Sequence, residues 1–208
     1  PEDIEKRSFE IITEELGEKV KKFTEEELPI VKRVIHTTAD FEYADLIEFL
    51  GNPISSAKKV LSGGCKIYCD TNMIVNGLSK TILKKFNCVP YTLVSDAEVS
   101  KKAKERGVTR SIVGMEYAGK DKETKIFLIG NAPTALYKLK EMIEKNEIEK
   151  PALVVGVPVG FVGASESKEV FKETKVPYIT INGRKGGSTA AVSILHGILY
   201  QIYKREGF

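Results

Sequence analysis

The chain has 208 residues, 42% of them hydrophobic and 29% charged, the make-up of one folded domain with a sizeable core rather than of a disordered or fibrous chain. Its net charge of +3, from 32 basic and 29 acidic residues spread along the sequence, is too balanced to call for a nucleic-acid partner. No apolar run approaches the ~20 residues of a membrane span, and the first six residues lack a signal-peptide core, so no membrane contact is expected and the protein is placed in the cytoplasm.

Ile4 to Val20 reads as an amphipathic helix, with Ile4, Ser8, Ile11, Ile12, Glu15 and Leu16 at helical intervals and Phe9 widening the apolar face. Ser8 lies beside that face, where a serine is either tolerated or aims its hydroxyl at a ligand. Thr24 and Glu27 form a capping box that opens a second helix, and Pro29 suits its first turn. Leu28, Val31, Val34 and Ile35 make the buried stripe. Arg33 and His36 lie away from its centre and within one turn of each other. An exposed histidine near a helix C-terminus can simply answer the dipole; it can also be an acid/base group with an arginine beside it to hold a carboxylate.

Phe41 to Leu50 is read as a third helix, ended by Gly51-Asn52-Pro53, and Ile54 to Leu61 as a fourth, closed by Gly63 and Gly64. Residues 1–64 are thus an N-terminal helical segment packing on residues 65–208, where the pattern changes. Strands at Lys66–Asp70, Tyr91–Ser95, Lys125–Gly130, Ala152–Gly156 and Pro177–Ile181 alternate with helices around Leu78–Phe86, Asp96–Arg106, Thr109–Tyr117, Ala132–Lys145, Ser165–Glu173 and Ser188–Tyr203. That alternation predicts an α/β fold: a parallel sheet of about five strands with helices on both faces. Cys65, Cys69 and Cys88 are an odd set without a second pair, so they are expected as buried thiols; neither a disulfide framework nor a metal site is. His196, among Ile194, Leu195, Ile198 and Leu199, is expected to pack.

Polar residues gather at the carboxyl ends of the strands, which share one edge in a parallel sheet and so converge on a ligand cleft. Asp70-Thr-Asn-Met73 offers Asn72, and Gly130-Asn-Ala-Pro-Thr134 offers Asn131, as candidate ligand contacts. Gly156 to Lys168 is a strand end, a turn containing Pro158, Gly160 and Gly163, and a helix start for which Ser165 is the expected cap. Such a turn suits a carboxylate-bearing ligand, or serves only as a tight connection. Gly183-Arg-Lys-Gly-Gly-Ser188 resembles a phosphate cradle, yet it lacks P-loop order; a dinucleotide fingerprint and a nucleophile elbow are also missing. Arg110, near a helix start, is either a surface arginine or a further carboxylate clamp.

Cys69-Asp-Thr-Asn-Met73, Gly130-Asn-Ala-Pro-Thr-Ala-Leu136, the Gly156–Lys168 stretch and Gly183–Ser188, together with the His36 helix, resemble the precorrin-8X methylmutase family over nearly the whole chain. The resemblance implies an isomerase of corrin (cobalamin) biosynthesis. It moves a methyl group from ring carbon 11 to carbon 12 of precorrin-8X or cobalt-precorrin-8, giving hydrogenobyrinate or cobyrinate, with no methyl donor and no cofactor. The family's catalytic histidine matches His36, as proton donor or acceptor. Its substrate-contacting residues match Ser8, Arg33 and Arg110. The resemblance further implies a homodimer holding its tetrapyrrole substrate in a cleft near the subunit boundary. The residues suit this: carboxylate arms call for arginine forks and helix N-termini, and an intramolecular methyl shift needs positioning and proton control rather than a nucleophile. A tetrapyrrole carrier without catalysis is the alternative.

Overall fold

Alternate strand residues go to opposite faces of one sheet: Ile126 and Leu128 join one buried cluster while Phe127 and Ile129 join another. The computed structural model describes residues 2–203. The strands are β1 (Ile47–Leu50), β2 (Lys66–Cys69), β3 (Val89–Tyr91), β4 (Thr124–Ile129), β5 (Leu153–Gly156) and β6 (Tyr178–Ile181), in the order β1-β6-β5-β4-β2-β3. All pairings are parallel except that of β1 with β6.

Helices cover both faces. On one lie α2 (Glu27–Thr38), α4 (Pro53–Gly63), α5 (Asn72–Gly77), α6 (Lys80–Lys85) and α11 (Ser188–Ile202), whose apolar residues share a cluster with Ile67, Leu128, Val155 and Ile179. On the other lie α8 (Arg110–Lys120), α9 (Pro133–Glu144) and α10 (Ala164–Phe171), packed on Tyr68, Phe127 and Tyr178, with α7 (Ala97–Arg106) joined to α8 through Val99, Ala103 and Val113. The N-terminal helix α1 (Glu2–Leu16) runs into a short 3-10 segment at Gly17–Lys22, so the expected Ile4–Val20 helix changes type at Gly17. The capping box at Thr24 is present: the Thr24 N–H donates to Glu27 at 3.1 Å and the Glu27 N–H to Thr24 Oγ1 at 3.2 Å.

Four expectations are corrected. Phe41–Leu50 is not a helix but one helical turn, α3 (Tyr43–Leu46), followed by β1, which adds a sixth, antiparallel strand. Its four residues pair with a segment more than a hundred positions away, so no local periodicity could mark them. The strand expected at Tyr91–Ser95 lies earlier, at β3, and α5 precedes the helix expected at Leu78. Ser165 is not a cap: Gly163, with φ of 77°, holds that position and α10 starts at Ala164.

Helix α2 is set against the core by a close crossing with α11. A Cβ on Gly197 would lie 2.9 Å from Ile30 Cα, so only glycine lets the two backbones come this near. Ile30, Val31, Val34 and Ile35 are all buried there, leaving the opposite face of α2 to carry Arg33 and His36.

Candidate active site

The carboxyl ends of β2, β4, β5 and β6 share one edge, and buried charge organises the loops that leave them. Asp70, 3% exposed, closes β2 and accepts N–H groups of the next loop: Gly130 on Oδ1 at 2.9 Å, with Asn131 at 2.9 Å and Ala132 at 2.8 Å on Oδ2. Burial holds its carboxyl above the usual carboxylate range, and these donors offset only part of that rise. The turn so fixed leaves Asn131 exposed. Thr71 caps α5 through the Ile74 N–H at 3.2 Å and shares a 2.8 Å hydrogen bond with Ser188, joining β2 to the start of α11. Asn72, next in sequence, is exposed and donates to Ser95 Oγ at 3.3 Å.

The two glycine loops are stitched together. The Gly187 N–H donates to Val157 O at 2.8 Å and the Gly160 N–H to Arg184 O at 3.0 Å. Gly186, at φ of 151°, passes so close that a Cβ would stand 2.2 Å from Val157 O. Lys168, 1% exposed, reaches through α10 to donate to Lys185 O at 2.9 Å, and burial lowers its ammonium to about 8. Lys185 turns outward onto Asp40 and Glu42, just beyond α2. That pairing draws the Asp40 carboxyl down and the Lys185 ammonium up. The Gly183–Ser188 loop is thereby tied to the C-terminal end of the histidine helix.

On α2 itself, His36 is exposed, its ring 5.2 Å from that of Phe9 at a tilt of 38°. Arg33 is sandwiched, its guanidinium carbon 5.1 Å from the Phe9 ring and 4.5 Å from the Tyr200 ring, and it pairs with Glu5 at 3.1 Å. Ser8, beside Phe9 on α1, donates its hydroxyl to Ile4 O at 2.9 Å. Arg33 and His36 thus both lie against Phe9, whose chain neighbour is Ser8. A cavity of about 180 Å³ is lined by Arg33 and Thr37 of α2 together with Met73 and Thr189, which puts this helix face beside the loops after β2 and β6.

Arg110 is exposed as the first residue of α8. Its neighbour Thr109 bonds Thr134 at 3.2 Å, which holds the start of α8 near the Asn131 turn. No hydrogen bond or ion pair among the described residues joins Arg110 to α2. His196 Nε2 accepts the Ser79 N–H at 3.0 Å, tying α11 to the start of α6. All three cysteines are buried and free, no group of three or more His, Cys, Asp or Glu that could hold a metal ion occurs among the described residues, and no helix there is long and apolar enough to cross a membrane.

Sequence reasoning missed Asp70, Lys168 and Lys185. An acid that directly ends an apolar strand was a signal available for Asp70. For Lys168 there was none, because nothing in Ser165-Glu-Ser-Lys168 distinguishes a buried ammonium from a solvated one.

The family model of precorrin-8X methylmutase matches residues 3–201. A cobalt-precorrin-8 methylmutase of Leptospira interrogans is 44% identical, covering 98% of this chain and 94% of that protein. A precorrin-8X methylmutase of Sinorhizobium sp. is 36% identical, covering 94% and 92%. The crystal structure of precorrin-8x methyl mutase from Thermus thermophilus superposes with a TM-score of 0.88 at 38% identity, covering 96% of this chain and 95% of that one. With the match running through the histidine helix and every strand-end loop, this chain belongs to the precorrin-8X methylmutase family.

Proposed function

We propose that this protein is the corrin-pathway isomerase that moves a methyl group between neighbouring ring carbons of precorrin-8X or cobalt-precorrin-8, with His36 giving or taking the proton. The observation that carries the reading is the pairing of Arg33 and His36 one turn apart on the polar face of α2, beside the strand-end loops. A methyl shift within one molecule needs no nucleophile, only a held substrate and control of developing charge. Imidazole is the side chain whose ordinary titration lies near neutrality, and general acid help of this kind is typically worth ~10²–10⁴-fold.

His36 packs against Phe9 on one side and is open on the other, an arrangement that fixes the ring while leaving a nitrogen for substrate. Glu5 on Arg33 marks the geometry a substrate carboxylate takes when it replaces that pair. Ser8, Asn72, Asn131 and Arg110 are the further substrate contacts in this reading. We also assign the enzyme to the cytoplasm, as a homodimer whose cleft lies near the subunit boundary, with residues 1–64 and 65–208 acting as one methylmutase domain.

The test is to incubate the protein with metal-free and with cobalt-loaded substrate and follow the visible spectrum of the ring. Conversion of either supports the reading. Binding of both without spectral conversion would leave a carrier and overturn the isomerase.

A further inference from the structure

Phe161 and Val162 sit at the tip of the β5–α10 turn with 82% and 90% of their surface exposed, the highest values among the large apolar residues described. A soluble protein gains nothing from two such side chains side by side unless something covers them. The turn that holds them is braced. Its Gly160 N–H is bonded to Arg184 O at 3.0 Å, and the Gly187 N–H to Val157 O at 2.8 Å. Behind them, buried Lys168 holds Lys185 O at 2.9 Å.

The cations of the facing loop divide. Lys185 is engaged by Asp40 and Glu42. The guanidinium of Arg184 lies over the Phe161 ring, 5.3 Å from its centroid, and among the described residues no carboxylate lies within ion-pair distance of it. Arg184 and Phe161 line a cavity of about 450 Å³ together with Val159, Tyr43 and Thr38, and its one carboxylate, Asp40, is paired with Lys185 in the same lining. Thr38 is two residues beyond His36, so this cavity opens at the end of the catalytic helix.

We propose that Arg184 and Phe161 form a substrate-recognition site of their own, in which Phe161 meets the apolar face of a flat conjugated ring and Arg184 takes one of its carboxylate arms. The inference rests on the methylmutase reading above and adds to it two residues and a place where the ring lies. The chemistry of the cavity selects that ligand: an apolar plate and an uncompensated fork of N–H donors match a molecule that is flat and apolar in its body and anionic at its rim. Because the two loops are already tied together, the site loses little freedom on binding.

The experiment titrates the coloured product (hydrogenobyrinate or cobyrinate) into wild type, Arg184→Gln, Arg184→Lys and Phe161→Ala. Turnover and sedimentation velocity are measured on each. Both residues are on the surface, so folded variants are expected. Arg184→Gln should weaken binding and raise KM by ~10- to 100-fold, the range of a charge-assisted hydrogen bond, while kcat stays within a few-fold. Arg184→Lys should recover only part of this, since a point charge lacks the fork. Phe161→Ala should weaken binding as well, and less so once Arg184 is already changed. Unchanged affinity in Arg184→Gln, with wild type turning over normally, overturns this inference and leaves the methylmutase reading standing. Affinity lost only in step with loss of a dimer also overturns it, because the patch is then a contact between copies. A wild type that neither binds nor converts the corrinoid brings down the functional reading and this inference together.

Discussion

The two edges of the sheet use charge in opposite ways. At the amino end, where β2 and β4 begin, Lys66 pairs with Asp121 at 2.9 Å and Glu123 at 3.1 Å, and Lys125 pairs with Glu149 at 3.3 Å, around a cavity of about 380 Å³. These charges are partly solvated and answer each other, apart from the Glu123 N–H of their own turn that Asp121 Oδ1 accepts at 2.9 Å, and such pairs contribute little. At the carboxyl end, Asp70 and Lys168 are buried, and both are bonded to backbone of a neighbouring loop rather than to an opposite charge. A cavity alone therefore does not mark a site. What marks it is buried charge that fixes backbone, so that other side chains are presented to a ligand.

That contrast can be broken by mutation. Asp70→Ala leaves three backbone N–H groups without their acceptor, two of them, Gly130 and Ala132, on buried residues, and is expected to cost about 3 kcal/mol. Glu149→Ala, which breaks only the exposed Lys125 pair at the amino end, should leave the denaturation midpoint almost unmoved. Equal losses in chemical denaturation would remove the distinction between the edges.

Gly186→Ala comes next. Its Cβ would meet Val157 O at 2.2 Å, so the loops must separate, at an expected cost of about 2 kcal/mol together with a marked loss of turnover. Gly107, also at positive φ (63°), has nothing within 4 Å of its Cβ. Gly107→Ala should cost only about 1 kcal/mol of backbone strain and leave turnover intact.

Lys168 sharpens the comparison through pH. Burial lowers it to about 8 from an ordinary 10.5, so as pH rises the folded chain gives up this proton before the unfolded chain does. Across that window the unfolded state binds more protons, and the Lys168 contribution to stability rises with pH. Wild type should therefore gain on Lys168→Met by on the order of 3 kcal/mol from pH 8 to 10.5. A difference that stays flat across the window contradicts a buried ammonium.

The smallest expected effects are on affinity. Arg33→Ala and Arg110→Ala should each weaken product binding ~10-fold, and added salt should narrow the gap to wild type as it screens the lost attraction. Unchanged titration curves would remove either residue from the substrate contacts.

Most of this architecture was legible because it is local. The apolar runs at Ile126–Ile129 and Leu153–Val155, and the polar residues that follow them, identify parallel strands and the carboxyl edge that they share from neighbouring residues alone. The face of α2 was legible for the same reason, since helical spacing separates Arg33 and His36 from Val31, Val34 and Ile35. What could not be read depends on distant partners. Strand β1 exists because β6 offers it a free edge; Lys168 is buried because α10 lies over the Gly183–Ser188 loop. Arg33 was expected beside the ligand, and its position between the Phe9 and Tyr200 rings needs three helices to come together.

The central claim is that one imidazole on α2 handles the proton while the loops hold the ring. The most direct measurement is single-turnover conversion of substrate by His36→Ala, read in the visible spectrum alongside product titration on the same sample. The account predicts a folded variant that binds product with near wild-type affinity and converts no substrate. Conversion at near wild-type rate would contradict it.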